Sequence, residues 1–364
     1  MADLDVNPAF WRGKRVLLTG HTGFKGSWLA LWLNALGAEV VGYALPAEGE
    51  HPLYDLARVG ETLTSLEGDV RDAESLARVV REHQPEVVLH LAAQALVRTS
   101  YREPLETYAT NVMGTVHLLD AVRRGPDRPR VVLCVTSDKC YQNRETDVPY
   151  REDDPLGGAD PYSSSKGCAE LVTAAYRSSY FPPDRVAQHG AVVASARAGN
   201  VIGGGDWATD RLVVDVLSAY LANRTPHIRN PRAVRPWQFV LEPLAGYLQL
   251  VEHAFDEPEN AAGGWNFGPA LADCQPVSYL VDRLATAWGD GASWHHDRQE
   301  HVHEAQLLLL DASKARRELG WRPRYALNDA IEHTVAWYRA FQRGDDLAAF
   351  TRRQIGAYQQ LAAA

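Results

Sequence analysis

The chain has 364 residues, 46% of them hydrophobic and 23% charged, and its formal net charge is -9. That length allows a large main domain with a smaller one beside it, while an acidic balance with dispersed lysines and arginines argues against a nucleic-acid surface. Met1 to Pro8 carries acids rather than a basic stretch ahead of an apolar run, and no later segment is apolar for the length of a membrane span, so a soluble, unexported, cytoplasmic protein is expected. The four cysteines, Cys134, Cys140, Cys168 and Cys274, show no paired spacing and read as reduced thiols, Cys140 as a buried packing residue.

In chain order, Arg15 to Thr19 reads as the first strand. The helix opening after Gly23 carries Trp28, Leu29, Leu31, Trp32, Leu33 and Leu36 before Gly37 ends it. Further strands are expected at Glu39 to Tyr43, Leu63 to Gly68, Val87 to Leu91, Val131 to Thr136 and Val193 to Ala196, with helices at Ala73 to Glu82, Tyr108 to Arg123 and Ser163 to Tyr180. This alternation predicts an α/β fold of Rossmann type, a doubly wound parallel sheet. After about Ala196 the punctuation changes, with Gly203-Gly204-Gly205, Asn230-Pro231 and Arg235-Pro236 breaking shorter elements. The expected division is a dinucleotide domain over 1–195, with a return segment near 237–258, and a smaller α/β substrate domain over 196–364. The last clear helix is Leu327 to Arg343.

Gly20, Gly23 and Gly26 follow the first strand directly and open the next helix, the setting in which glycines let backbone approach a pyrophosphate at a helix N-terminus. His21 and Lys25 lie in the same loop, Lys25 being the better phosphate contact. The second strand ends Tyr43-Ala44-Leu45-Pro46 without the acid that accepts the ribose hydroxyls of NAD, and no arginine there argues for a 2′-phosphate. Asp69-Val70 suits either the adenine edge or the cap of the Ala73 helix.

Tyr162 and Lys166 are four residues apart, so on a helix they share a face and the ammonium can lower the phenol's pKa for work as a base on a hydroxyl. Asp138-Lys139, expected at the end of the Val131 strand, places a second acid/base couple beside the first. Two couples imply more than alcohol oxidation.

Thr19-Gly20-xx-Gly23-xx-Gly26, Leu91-Ala92-Ala93-Gln94, Asn111, Ser137 and Tyr162-xxx-Lys166, in this order, resemble the extended short-chain dehydrogenase/reductase family of nucleotide-sugar enzymes from about Lys14 to Tyr338. More narrowly, Gly20-His21-Thr22-Gly23-Phe24-Lys25-Gly26-Ser27-Trp28, Thr136-Ser137-Asp138-Lys139-Cys140-Tyr141, Asp160-Pro161-Tyr162-Ser163-Ser164-Ser165-Lys166-Gly167 and Arg235-Pro236-Trp237-Gln238 resemble its CDP-glucose 4,6-dehydratase branch. The resemblance implies bound NAD used twice, held by Gly20, Thr22, Gly23, Phe24, Lys25, Gly26, Asp69, Val70, Leu91, Ala92, Ala93, Asn111, Tyr162 and Lys166. It implies Tyr162 as base at the sugar 4-hydroxyl, Lys166 on the ribose, Ser137 polarising the 4-oxygen and Asp138 as acid for the departing 6-hydroxyl. Lys139 would be the base at C5, where thymidine-sugar dehydratases have a glutamate. That asks for a neutral Lys139, favoured by burial and by nearby Lys166; the alternative is a surface residue paired with Asp138 or Glu152.

A diphosphate sugar calls for converging arginines, and Arg211, Arg229, Arg232 and Arg235 are available. The resemblance implies a CDP-sugar as partner, with Gln94, Asn200 and Arg211 at the substrate, Arg235 as the diphosphate clamp and Trp237 near the base. Phe239 stands where a histidine is expected in close relatives. His295-His296 and His301-Val302-His303 lack further ligand spacing, so no metal and solvent-facing positions are expected. The resemblance also implies a homodimer, or an assembly of dimers, through the Tyr108 and Ser163 helices.

Overall fold

The computed structural model describes residues 6–297 and 307–361; the His301-Val302-His303 run and the Ala362–Ala364 tail lie outside the described residues. Seven strands form one parallel sheet: β1 (Arg15–Thr19), β2 (Glu39–Ala44), β3 (Thr64–Glu67), β4 (Val87–His90), β5 (Val131–Val135), β6 (Val192–Arg197) and β7 (Gly264–Asn266). Their order is β7-β6-β5-β4-β1-β2-β3, with every neighbouring pair parallel. Six of these strands lie where the apolar runs predict them. β7 is only Gly264-Trp265-Asn266, too short to stand out as a run, and it joins the sheet edge by pairing with Ser195, Ala196 and Arg197.

Strand residues alternate between two cores because successive side chains leave a strand on opposite faces. Val16, Leu18, Leu89, Leu133 and Ala194 join one buried cluster, and Leu17, Val88, Val132 and Val193 the other. The second cluster is closed by α2 (Ala73–His83) and α3, which runs from Pro104 to Arg124 with a π turn at Ala109–Met113, together with α4 (Pro161–Tyr180). Asp72 caps α2, its Oδ1 accepting from Glu74 N at 3.1 Å and Ser75 N at 3.0 Å. Asp69 is therefore not the cap: its carboxylate takes the Arg71 guanidinium at 2.6 Å, and its carbonyl accepts from the Tyr43 hydroxyl at 3.0 Å.

The first cluster is closed by α1 (Phe24–Ala35) and α5 (Leu241–Asp256). Both are buried nearly all round, which erases the amphipathic period; α5 lies in the expected return segment, with no helical stripe to mark it. Two C-terminal helices cover them, α6 (Leu327–Arg343) and α7 (Leu347–Gln360). The Tyr358 ring of α7 meets Trp32 of α1 edge-on with centroids 5.6 Å apart, and both rings are fully buried. Each such ring contributes roughly 1.5–3 kcal/mol by leaving water, so the tail of the chain stabilises the first helix of the sheet. No helix among the described residues is long and apolar enough to cross a membrane.

Candidate active site

The sheet order reverses between β1 and β4, and in open parallel sheets ligands bind at the carboxyl ends of the strands beside such a reversal. Gly20 leaves β1 with φ +78°, and a Cβ there would lie 2.7 Å from Ala92 N in the turn after β4. Gly26, in the first turn of α1, packs so close that its Cβ would lie 2.0 Å from Gly20 O. Gly23 is the N-cap of α1 and no side chain satisfies the helix start, which leaves donors and the positive end of the helix dipole for an anion. This cradle of glycines fits a dinucleotide pyrophosphate. Leu91 and Ala92 form its far wall, fixed by Leu91 N to Thr19 O at 3.1 Å and Ala92 N to Thr19 Oγ1 at 3.2 Å.

Of the two basic residues in the turn, only Lys25 faces the crevice. Burial, then the charges of Arg211 and Lys166, lower its pKa to about 8, against the pull of Asp138 and Asp206. His21 turns inward, its Nε2 2.8 Å from Ser65 Oγ, and burial lowers its pKa to about 4, so it is neutral and unavailable to phosphate. Thr22 donates to Leu45 O at 3.0 Å and ties the loop to the end of β2. Phe24 abuts Gly203. Val70 is buried against Gly114, and its carbonyl lies 3.0 Å from His117 Nδ1.

The acid/base groups come from the end of β5 and the start of α4. Ser137 caps a 3₁₀ turn over Asp138–Cys140, accepting from Lys139 N at 3.2 Å and donating to Asp138 Oδ1 at 2.9 Å. Asp160 caps α4 with Pro161 at its first position, so the helix starts two residues before the expected Ser163 and carries Tyr162 in its first turn. Burial pushes the Tyr162 phenol up to about 12, opposed first by its hydrogen bond with Ser137 and then by the charge of Arg211. Arg211, rather than the expected Lys166, is thus the cation that most lowers this phenol. Lys166 is buried, and burial brings it down to about 8, with Glu170 opposing. Lys139 is half-buried and pairs with neither Asp138 nor Glu152; Glu152 instead accepts from Asn266 N at 2.9 Å. Cys140 packs in the interior and burial raises its thiol well above the usual range.

Beneath this layer sits a buried ion pair that the motif reading passed over. Glu170 accepts from Arg197 Nη2 at 2.7 Å, Ser195 Oγ at 2.7 Å and Thr136 Oγ1 at 2.5 Å. Arg197 also donates to the Tyr141 hydroxyl at 2.7 Å, which donates to Asn266 Oδ1 at 2.7 Å. The chain of contacts locks α4 to the ends of β5, β6 and β7, and so sets Tyr162 and Lys166 against Ser137 and Asp138. The signal was present: Glu170 lies four residues beyond Lys166 and eight beyond Tyr162 on one helix face.

On the substrate side the expectations divide. Arg211 reaches the crevice and is held by Asp206 at 2.6 Å, and Arg98, which the motifs did not mark, pairs with Asp210 at 3.0 Å. Asn200 adopts φ +46° at the mouth, its carbonyl accepting from Gln238 N at 3.2 Å. Arg235 is half-buried and donates to Val234 O at 2.9 Å. Gln94 does not present its amide to the crevice. It donates to Leu96 O at 3.1 Å and Thr107 Oγ1 at 2.9 Å and accepts from Leu96 N at 2.6 Å, shaping its own loop. Asn111 braces that loop from the π turn, accepting from Gln94 N at 2.9 Å and donating to Gln94 O at 3.0 Å and Ser165 Oγ at 2.8 Å, which makes it a scaffold residue rather than an open ligand group. Trp237, expected beside the base, is buried in the core with its indole N–H on Gln275 O at 3.0 Å, because the short Val234–Pro236 strand pairs with Cys274–Pro276 and turns the ring inward. Phe239 completes an aromatic cluster with Trp28, Tyr325 and His333. His295 and His296 are exposed, and no group of His, Cys, Asp and Glu among the described residues could hold a metal ion.

The chain is similar to known proteins. Residues 17–267 match the family described as GDP-mannose 4,6 dehydratase. The chain is 51% identical over 353 residues to the CDP-glucose 4,6-dehydratase of Salmonella typhimurium, covering 97% of this chain and 98% of that protein. It is 31% identical over 330 residues to the UDP-glucose 4-epimerase of Mycolicibacterium smegmatis, covering 89% and 98%. Among solved structures, the dTDP-glucose 4,6-dehydratase DesIV of Streptomyces venezuelae, determined with NAD and TYD bound, matches with a TM-score of 0.75 at 26% identity, over 91% of this chain and 98% of that one. With its glycine cradle, its Tyr162/Lys166 helix and its Asp138-Lys139 turn, the chain belongs to the GDP-mannose 4,6 dehydratase family.

Proposed function

We propose that the protein is a hydro-lyase that converts CDP-D-glucose into CDP-4-keto-6-deoxy-D-glucose and water. The observation that carries this reading is the 51% identity, over nearly the whole chain, to a CDP-glucose 4,6-dehydratase. The Asp138-Lys139 turn beside Tyr162 supports it, because an epimerase or simple reductase has no need of a second acid/base couple. Bound NAD, which the glycine cradle fits, supplies reversible redox chemistry, taking hydrogen from C4 of the sugar and returning it at C6.

The chain's own residues move the protons. Tyr162 takes the proton of the 4-hydroxyl, Ser137 holds the 4-oxygen, and Lys166, buried four residues along the helix from Tyr162, lies on the ribose side. The C4 ketone acidifies the hydrogen on C5. Lys139 removes it while Asp138 protonates the departing 6-hydroxyl. Lys25 and the Arg211 and Arg98 guanidiniums supply the positive field that two diphosphate groups require, Arg211 and Arg98 after exchanging their carboxylate partners for phosphate oxygens.

Incubation with CDP-glucose and no added NADH tests the reading. The expected product absorbs in alkali as a 4-keto sugar, and deuterium placed at C4 appears in the new methyl group. An isomer of unchanged mass, as from an epimerase, rejects it. Lys139→Ala should keep nucleotide binding and lose exchange of the C5 hydrogen with solvent D2O, followed by NMR; persistent exchange means another base. Gly199→Ala is expected to cost on the order of 100-fold in kcat, since its Cβ would lie 1.8 Å from Asp138 Oδ2. Its dinucleotide content, read by absorbance, should be unchanged.

Two finer expectations belong to the same proposal. The protein works in the reducing cytoplasm, in keeping with four free cysteines. It acts as a homodimer through α3 and α4, where Leu105, Met113, Leu171 and Tyr180 are exposed on adjoining helices. Sedimentation should then give twice 40.3 kDa.

A further inference from the structure

We propose that Gln238 is a positioning residue for the elimination step, because it clamps the Gly199 backbone against which the Asp138 carboxyl rests. This builds on Asp138 as the acid for the departing 6-hydroxyl, stated above. Hydrogen bonds secure only one end of that carboxyl: Oδ1 accepts from Ser137 Oγ at 2.9 Å, while Oδ2 is buried and has no partner among the described residues. Contact sets the rest of its placement. A Cβ on Gly199 would lie 1.8 Å from Oδ2, 2.1 Å from Cγ and 2.6 Å from Oδ1, so the whole carboxyl packs directly against this glycine. Asp138 is 2% exposed, which leaves protein rather than solvent to decide where its proton is presented.

Gly199 itself belongs to no strand. β6 ends at Arg197, and the two-residue strand that follows starts at Val201. A distant segment fixes the backbone between them. The short Gln238–Phe239 strand runs parallel to Val201–Ile202 with Gln238 opposite Val201, and Gln238 N donates to Asn200 O at 3.2 Å. The side-chain amide then donates to Gly199 O at 3.2 Å and to Phe267 O at 2.9 Å, which takes both hydrogens of its Nε2. Phe267 follows β7 and is held in turn by its own N–H on Arg197 O at 2.8 Å. Gln238 thus ties the exits of β6 and β7 together. It is 3% exposed, and its Oε1 has no partner among the described residues, so the two carbonyls set which way the amide faces. An apolar side chain of the same length would fill the space and leave both carbonyls without this donor. Gly199 would then lose its anchor, and a displacement of about 1 Å at a reacting group is enough to cost about 100-fold. The groups that serve C4 oxidation are placed by other means, Tyr162 and Lys166 by α4 and Ser137 by the 3₁₀ turn that it caps.

Rapid-quench single turnovers of CDP-glucose by Gln238→Met test the clamp. Reduced dinucleotide should form at the wild-type rate and build up, with water loss roughly 100-fold slower. CDP-6-chloro-6-deoxyglucose supplies a readout that a merely structural role would not move. Chloride leaves C6 with the electron pair of its bond and needs no proton, so Gln238→Met and wild type should eliminate it at the same rate. Gln238→Asn, whose amide is one methylene short of spanning both carbonyls, serves where Gln238→Met does not fold, and should show the same split to a smaller degree. Equal slowing of oxidation and water loss overturns the positioning role. So does an unchanged rate of water loss, or a chloro substrate slowed as much as the glucose one. Asp138→Asn keeps the two failures apart: normal water loss in that variant rejects the acid, whereas slowed water loss there beside normal water loss in Gln238→Met rejects the clamp alone.

Discussion

Replacing Tyr162 with Phe should lower kcat by at least ~1,000-fold, within the range that a positioned general base contributes. The substitution removes one oxygen and keeps the ring, which is buried at the start of α4. Losing one hydroxyl contact should cost the fold only about 1 kcal/mol. The dinucleotide should stay bound, and rapid mixing with CDP-glucose should give no reduced-dinucleotide absorbance. Burial raises this phenol to about 12, and the contact with Ser137 and the charge of Arg211, which oppose that rise, are what favour its service as a base. Reduced dinucleotide forming at the normal rate in Tyr162→Phe would move the base elsewhere, and Asp138 would be the next group to test.

The largest effect on stability is expected from Arg197→Ala. It leaves Glu170 charged, 3% exposed and without its principal partner, and removing one member of such a pair costs about 3–5 kcal/mol. Urea unfolding monitored by tryptophan fluorescence would report it as a lower midpoint with an unchanged slope. Replacing both residues by leucine should recover much of the loss, because the desolvation of two charges disappears with them. Burial pushes the Glu170 carboxyl up, but Arg197 and three hydroxyl and guanidinium hydrogen bonds outweigh it and hold it below the usual glutamate range. The folded state therefore binds its proton less readily than the unfolded one. The pair's contribution is complete above the ordinary glutamate pKa and fades as pH falls through the lowered one, so wild type and Arg197→Ala should converge in stability only in acid. A difference under ~1 kcal/mol at neutral pH would reduce the pair to the standing of a surface contact.

The pair also shows where motif reading stops. Tyr162 and Lys166 stand out because a phenol and an amine at helical spacing are scarce and chemically suggestive. Glu170 occupies the next position on the same face, but a glutamate on a helix is ordinarily solvated, and only the packing of β5 and β6 against α4 reveals it as a buried anion. Gln94 and Asn111 illustrate the converse. Both fall in segments that resemble a family pattern, yet their amides are consumed by the loop between β4 and α3. Trp237 lies two residues beyond Arg235, a spacing that would put both on one face of a regular strand, but the strand ends at Pro236 and the Trp237 ring is buried with its indole N–H on Gln275 O.

Sequence alone determined the parallel sheet, because six apolar runs alternating with helical segments admit few other folds, and it located the glycine turn, the Ser137-Asp138-Lys139 turn and the Tyr162/Lys166 helix, whose chemistry depends on residue type at short spacing. Tertiary structure decided which polar groups face the crevice. It turned His21 and Trp237 inward, brought Lys25 and Arg211 from distant segments to one pocket, added β7 at the sheet edge, and laid α7 over α1. The physical reason is range. Helical and strand periods act over a few residues, whereas burial of a charge or a ring depends on neighbours that are far away along the chain.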